Sequence, residues 1–166
     1  MEPPETIRAE IPLPGPAATE ALGTRLAALL RAGDTVLLSG PIGAGKSHLA
    51  RAILQARMRR EGAPVEDVPS PTYTLVQPYA LPGGEVWHAD LYRLSGPEEA
   101  VELGLDTAFG TVLCLVEWPD RLGDLAPAEA LRIALAPEGE GRRATLCARD
   151  PRWATIVSRA AGGCPA

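Results

Sequence analysis

The chain contains no asparagine and a single lysine, Lys46, against fifteen arginines. Surface positive charge is evidently supplied by arginine, so a position that keeps lysine calls for an ammonium group there. Cysteine is scarce. Cys114, Cys147 and Cys164 stand at wide spacings with no CxxC pair, which excludes a disulfide framework and a zinc ribbon and favours reduced thiols. No apolar run approaches the roughly 18 residues of a membrane span. The acidic start, Met1-Glu2-Pro3-Pro4-Glu5, lacks the basic and apolar regions of a signal peptide, so a cytoplasmic protein is expected. A net charge of −5 argues against strong gripping of DNA or RNA by the chain alone.

What is present suffices for one core. With 166 residues, 46% hydrophobic and 22% charged, the chain is expected to form a single domain over 1–166, with a loose proline-rich arm at 1–15 and a frayed tail at 160–166. The arm admits one edge strand around Thr6 to Leu13. A helix is expected from an N-cap at Thr19, because Leu22, Leu26, Leu29 and Leu30 recur at helical spacing before Gly33. Thr35 to Ser39 reads as a buried strand and Lys46 to Arg60 as a helix closed by three arginines. Tyr73 to Tyr79 and Glu85 to Leu91 predict a hairpin, and so do Leu131 to Ala136 and Ala144 to Ala148. Ser95-Gly96-Pro97-Glu98 reads as a capping box opening a helix through Glu102, and Thr111 to Val116 as a second buried strand.

Between the first strand and the helix lies Gly40-Pro41-Ile42-Gly43-Ala44-Gly45-Lys46-Ser47, which satisfies G-x-x-x-x-G-K-[ST] at every required position. Glycines let successive N–H groups turn toward phosphate oxygens, and the helix adds the positive end of its dipole. Lys46 is expected at the β- and γ-phosphates, His48 in the first turn beside them, and the Ser47 hydroxyl on Mg²⁺.

A phosphate loop of this kind needs a carboxylate near the metal at the end of a neighbouring strand. Glu117, directly after Val112-Leu113-Cys114-Leu115-Val116, meets that need. Asp90 is the second candidate, since alternation puts His88, Asp90 and Tyr92 on one strand face. For His88 the favoured reading is a hydrogen-bonded structural histidine. Ser70-Pro71-Thr72-Tyr73-Thr74 has two equal readings: a segment sensing the γ-phosphate through Thr72, or a plain hydroxyl-rich turn.

Four blocks in this order resemble the TsaE (YjeE) ATPases of bacterial tRNA threonylcarbamoyladenosine biosynthesis: the P-loop, Ser70 to Val76, His88-Ala89-Asp90-Leu91-Tyr92-Arg93-Leu94, and Val116-Glu117-Trp118-Pro119-Asp120-Arg121. The likeness spans roughly residues 16 to 148. It implies a P-loop NTPase-like three-layer α/β sandwich, with a central mixed sheet that includes antiparallel hairpins. It also implies ATP binding and hydrolysis with Mg²⁺ in support of TsaB and TsaD, with tRNA met only through that complex. Lys46 and Ser47 would serve phosphates and metal, Asp90 and Glu117 the metal and attacking water, Thr72 the switch-like segment, and Trp118 would lie near the nucleotide. Ser47 stands where threonine is commoner and Ala89 where a bulkier residue is usual; neither alters the chemistry.

Two rival classes remain open at this point. A P-loop small-molecule kinase would use Arg59-Arg60 and Arg142-Arg143 on an acceptor phosphate, although solvated surface charge explains both pairs better. A nucleotide-dependent switch or binding module would recognise GTP through a second lysine, which the sequence lacks. No arginine finger or water-positioning glutamine can be placed, so slow turnover in isolation is expected.

Overall fold

The computed structural model describes residues 6–162. Seven strands form one mixed sheet in the order β1-β7-β6-β2-β5-β4-β3. They are β1 (Ile7–Leu13), β2 (Thr35–Ser39), β3 (Val76–Leu81), β4 (Gly84–Asp90), β5 (Leu113–Glu117), β6 (Leu131–Glu138) and β7 (Gly141–Ala148). The four central strands, β6, β2, β5 and β4, run parallel, and β1, β7 and β3 add antiparallel edges. The carboxyl ends of the parallel strands therefore open on one edge of the sheet, where α/β proteins place their ligands.

Side-chain alternation along the apolar strands builds two cores. Val36, Leu38, Leu113, Leu115, Ile133 and Leu135 face helices α1 (Pro16–Leu29), α2 (Lys46–Arg60) and α5 (Trp153–Ala160). Leu37, Ala89, Cys114 and Val116 face the opposite way, toward α3 (Pro97–Glu102), α4 (Leu105–Ala108) and a 3₁₀ stretch at Pro119–Leu125 that breaks at Gly123. Helices cover both faces, which is the three-layer sandwich expected and explains why β2 and β5 read as continuous apolar runs.

Several boundaries move, each for a local reason. Helix α1 begins at Pro16, not at Thr19, because proline is pre-set for the first helical turn; Thr19 is buried inside that turn. Strand β3 begins at Val76, because Leu75 takes a left-handed φ of 68° and its N–H closes a turn on the Pro71 carbonyl at 2.7 Å. The capping box shifts by one residue: Gly96 is the N-cap, and Glu99 accepts from Ser95 N and Oγ at 2.9 and 3.1 Å. Strand β5 starts at Leu113, since Thr111 is still tied to α4 through Thr107 and Ala108. The tail expected loose from residue 160 is ordered further. Ala160 ends α5, fully buried, and its carbonyl accepts from Arg25 Nε at 2.8 Å. The expectations for residues 1–5 and 163–166 lie outside the described residues.

Candidate functional site

The glycine-rich loop leaves β2 at the carboxyl edge and enters α2 at Lys46. Its path depends on glycine at two places. Gly40 has a φ of 141° and lies so close to the Leu135 carbonyl that a side chain would collide. Gly45 is the left-handed N-cap of α2, with a φ of 99°. Between them Ala44, buried, donates its N–H to the Pro41 carbonyl at 3.0 Å, so the loop is folded on itself.

Lys46 is 5% exposed. Its ammonium donates to the Gly40 and Pro41 carbonyls at 2.6 and 3.0 Å and lies 4.1 Å from the Trp118 ring centre. Burial lowers its pKa from the usual 10.5, and the nearby charges of Glu117, Asp90 and Asp120 oppose that shift. Trp118 is held against it by a left-handed turn directly after β5, with φ 58° and ψ 53°, and stacks obliquely on Tyr92 at 5.0 Å. A non-glycine residue in that region stores about 1 to 3 kcal/mol.

Register brings the carboxylates in. Glu117 pairs with Leu38 on one side and with Asp90 on the other. Both acids end their strands on the α2 side of the sheet, and both are buried. Glu117 Oε1 accepts from Ser47 Oγ at 2.7 Å, and its Oε2 lies 2.7 Å from His88 Nε2. A carboxylate only accepts, so Nε2 carries the proton in this pair; Nδ1 has no hydrogen-bond partner among the described residues. Asp90 accepts from Ser70 Oγ at 2.7 Å and from the Tyr92 backbone N–H at 3.1 Å.

These groups surround one cleft of about 400 Å³. Of the residues expected at the site, Ile42, Gly43, Gly45, Lys46, Ser47, His48, Thr72, Asp90, Glu117 and Trp118 line it. Gly40, Pro41 and Ala44, also expected at the site, do not line it; the Gly40 and Pro41 carbonyls accept from Lys46, and the Ala44 N–H donates to Pro41. Two residues with no expected role here, Ser70 and Arg142, also line it. Ser70 stands in the hydroxyl-rich block that reads equally as a γ-phosphate sensor through Thr72 or as a plain turn, and Arg142 in the pair that reads better as solvated surface charge than as an acceptor-phosphate site. His88 is the buried, hydrogen-bonded histidine expected, and its partner proves to be Glu117.

A glycine loop between a parallel strand and a helix, flanked by carboxylates from two further strand ends, defines an α/β protein of P-loop NTPase-like architecture. The family model of threonylcarbamoyl adenosine biosynthesis protein TsaE matches residues 13–145, and the chain belongs to that family. It is similar to the protein of that name from Streptomyces coelicolor, at 38% identity over 85% of this chain and 98% of the relative. The Haemophilus influenzae protein is 36% identical over 74% of this chain and 75% of its own length. The Rickettsia bellii protein is 34% identical over 78% and 85%. The crystal structure of Bacillus subtilis YdiB shares the fold, with a TM-score of 0.68 over 98% of each chain at 22% identity.

Proposed function

We propose that this chain binds ATP with Mg²⁺ and hydrolyses it as a cytoplasmic auxiliary to TsaB and TsaD homologues, which form threonylcarbamoyladenosine next to the anticodon of tRNA. Family membership supports the pathway. The nucleotide reading rests on the 2.7 Å bond between Ser47 Oγ and Glu117 Oε1, which joins a loop hydroxyl to a strand-end carboxylate beside a buried ammonium. Beside the loop, Ser47, Glu117 and Asp90 offer a metal oxygen donors, and His48 is the one nitrogen ligand type that lines the cleft. Among the described residues no group of three or more His, Cys, Asp and Glu side chains could hold a metal. Such a sparse hard-oxygen set fits Mg²⁺ that shares its coordination with phosphates and water. When bound, the ion would be held by Ser47 with Glu117 and Asp90 and would offset phosphate charge.

The chain's own groups divide the remaining work. Loop N–H groups and the start of α2 cradle the phosphates, and Lys46 holds a triphosphate by charge. Glu117, braced by His88, holds the Ser47 hydroxyl in place. Asp90, fixed through both oxygens, orients the attacking water. The Ser70–Asp90 bond ties the 70–75 segment to the site, so a change at the phosphates reaches that segment directly. Of the arginines a kinase would use, Arg59 and Arg60 sit at the far end of α2 and Arg143 is paired with Glu138 and Glu10, which leaves Arg142 alone at the cleft and no acceptor cluster.

Calorimetry with ATP and Mg²⁺ tests the reading. Binding is expected for the native chain and none for Lys46→Ala. Asp90→Asn is expected to keep binding and to lose about 10²-fold or more in turnover. Turnover is expected to be slow alone and to rise when TsaB and TsaD are added. Well-folded protein that gives no heat with ATP and Mg²⁺ would overturn the proposal.

A further inference from the structure

Arg142 is the second residue of β7, just after the turn from β6, far from the loop in sequence but against it in space. Its Nη2 donates to the Gly43 carbonyl at 3.0 Å. A Cβ placed on Gly45 would lie 3.1 Å from both its Cδ and its Nε. The side chain is thus laid flat along the loop from Gly45 to Gly43, and Gly45 is bare where it passes. The turn itself is anchored: Glu138 pairs with Gly141, and Gly141 packs so closely on the backbone of Leu13 and Pro14 that no side chain would fit. A guanidinium on such a mount is positioned by the sheet, not by a mobile loop.

Charge completes the case. The neighbouring Arg143 is neutralised by Glu138 at 2.9 Å and Glu10 at 3.8 Å. Arg142 has no carboxylate within ion-pair distance among the described residues, and one engaged N–H leaves most of its five donors unused. Within the cleft, the Lys46 ammonium faces two carboxylates, Glu117 and Asp90. The proposed Mg²⁺ would offset those carboxylates on their own side of the cleft, and Arg142 is the arginine that lines this cleft. In the sheet order β6 flanks β2 on one side, while β5 and β4 flank it on the other. Arg142 therefore stands across the loop from the acids.

Resting on the triphosphate reading above, we infer that Arg142 is a phosphate-binding residue supplied by the chain itself, clamping the polyphosphate against the loop opposite Glu117 and Asp90. The competing role is simple bracing of the loop through the Gly43 carbonyl. Two variants separate them. Arg142→Lys keeps the charge, whereas Arg142→Gln keeps N–H donors for a carbonyl but loses the charge. Affinities for ATP and for inorganic tripolyphosphate, each with Mg²⁺, are measured against salt concentration.

A phosphate clamp predicts that Arg142→Gln weakens both ligands by about 10- to 100-fold and flattens the salt dependence, and that Arg142→Lys recovers most of the loss. Equal affinities for native and Arg142→Gln protein would overturn the clamp, as would better binding by Gln than by Lys. A loss confined to ATP, with tripolyphosphate unaffected, would assign Arg142 to the nucleoside instead and overturn it too. If the native chain binds neither ligand, the nucleotide reading itself falls, and this inference with it.

Discussion

Lys46 shows how much a single residue type conveyed and what it left out. As the only lysine, in the one place a phosphate loop needs it, it could be assigned from sequence; its enclosure by Trp118 and the loop carbonyls could not. Burial lowers its pKa, and this has a definite sign. The folded state resists protonation, so a cost is present while Lys46 is charged and disappears as pH rises through the folded value toward 10.5. The stability of the native chain relative to Lys46→Met is therefore expected to improve as pH is raised through the lowered folded value to 10.5. Paired thermal melts across that range check it, and a difference that stays flat or falls would contradict it. Glu117 and Asp90 were readable because a charge ending a buried run needs a reason. The partners of His88 and Arg142 were not, because they lie 29 and 99 residues away and only the folded sheet brings them together.

Between elements, the contact that supports the loop is the crossing of α1 over α2. Gly23 of α1 is buried, and a Cβ there would stand 2.5 Å from Ala52 Cβ and 3.0 Å from the Ala52 backbone carbon. Backbone cannot yield as a flexible side-chain tip can. Gly23→Ala gains about 1 kcal/mol of helix propensity but forces the helices apart, and overpacking costs about 1 to 3 kcal/mol. A net loss of up to about 2 kcal/mol is expected by urea denaturation; a stabilised variant would mean that the crossing is looser than described. Element types were legible because β2, β5 and α2 have clean periodicities. The edges were less so: Leu75 in a left-handed turn and Pro16 at a helix start follow from local backbone chemistry that apolar spacing does not report.

At the scale of the whole molecule, the surprise is the C-terminal helix α5, which closes the core under α1. Trp153 is 1% exposed, and its Nε1 donates to the Glu129 carbonyl at 2.6 Å. Arg152 donates to buried Asp34 at 2.9 Å. Truncating a buried tryptophan costs about 3 to 5 kcal/mol. Trp153→Ala is expected to lose that much in urea unfolding, while native thermal stability gained on adding ATP and Mg²⁺ persists below the new melting point. A change under 1 kcal/mol would show that α5 is merely laid on the surface. No helix among the described residues is long and apolar enough to cross a membrane. The strand–loop–helix and the acids that serve it were written in the sequence, because glycine, lysine and a strand-ending carboxylate answer to local chemistry. The tertiary structure alone decided which distant groups complete the cleft, since that depends on strand order and on which side chains the sheet presses together.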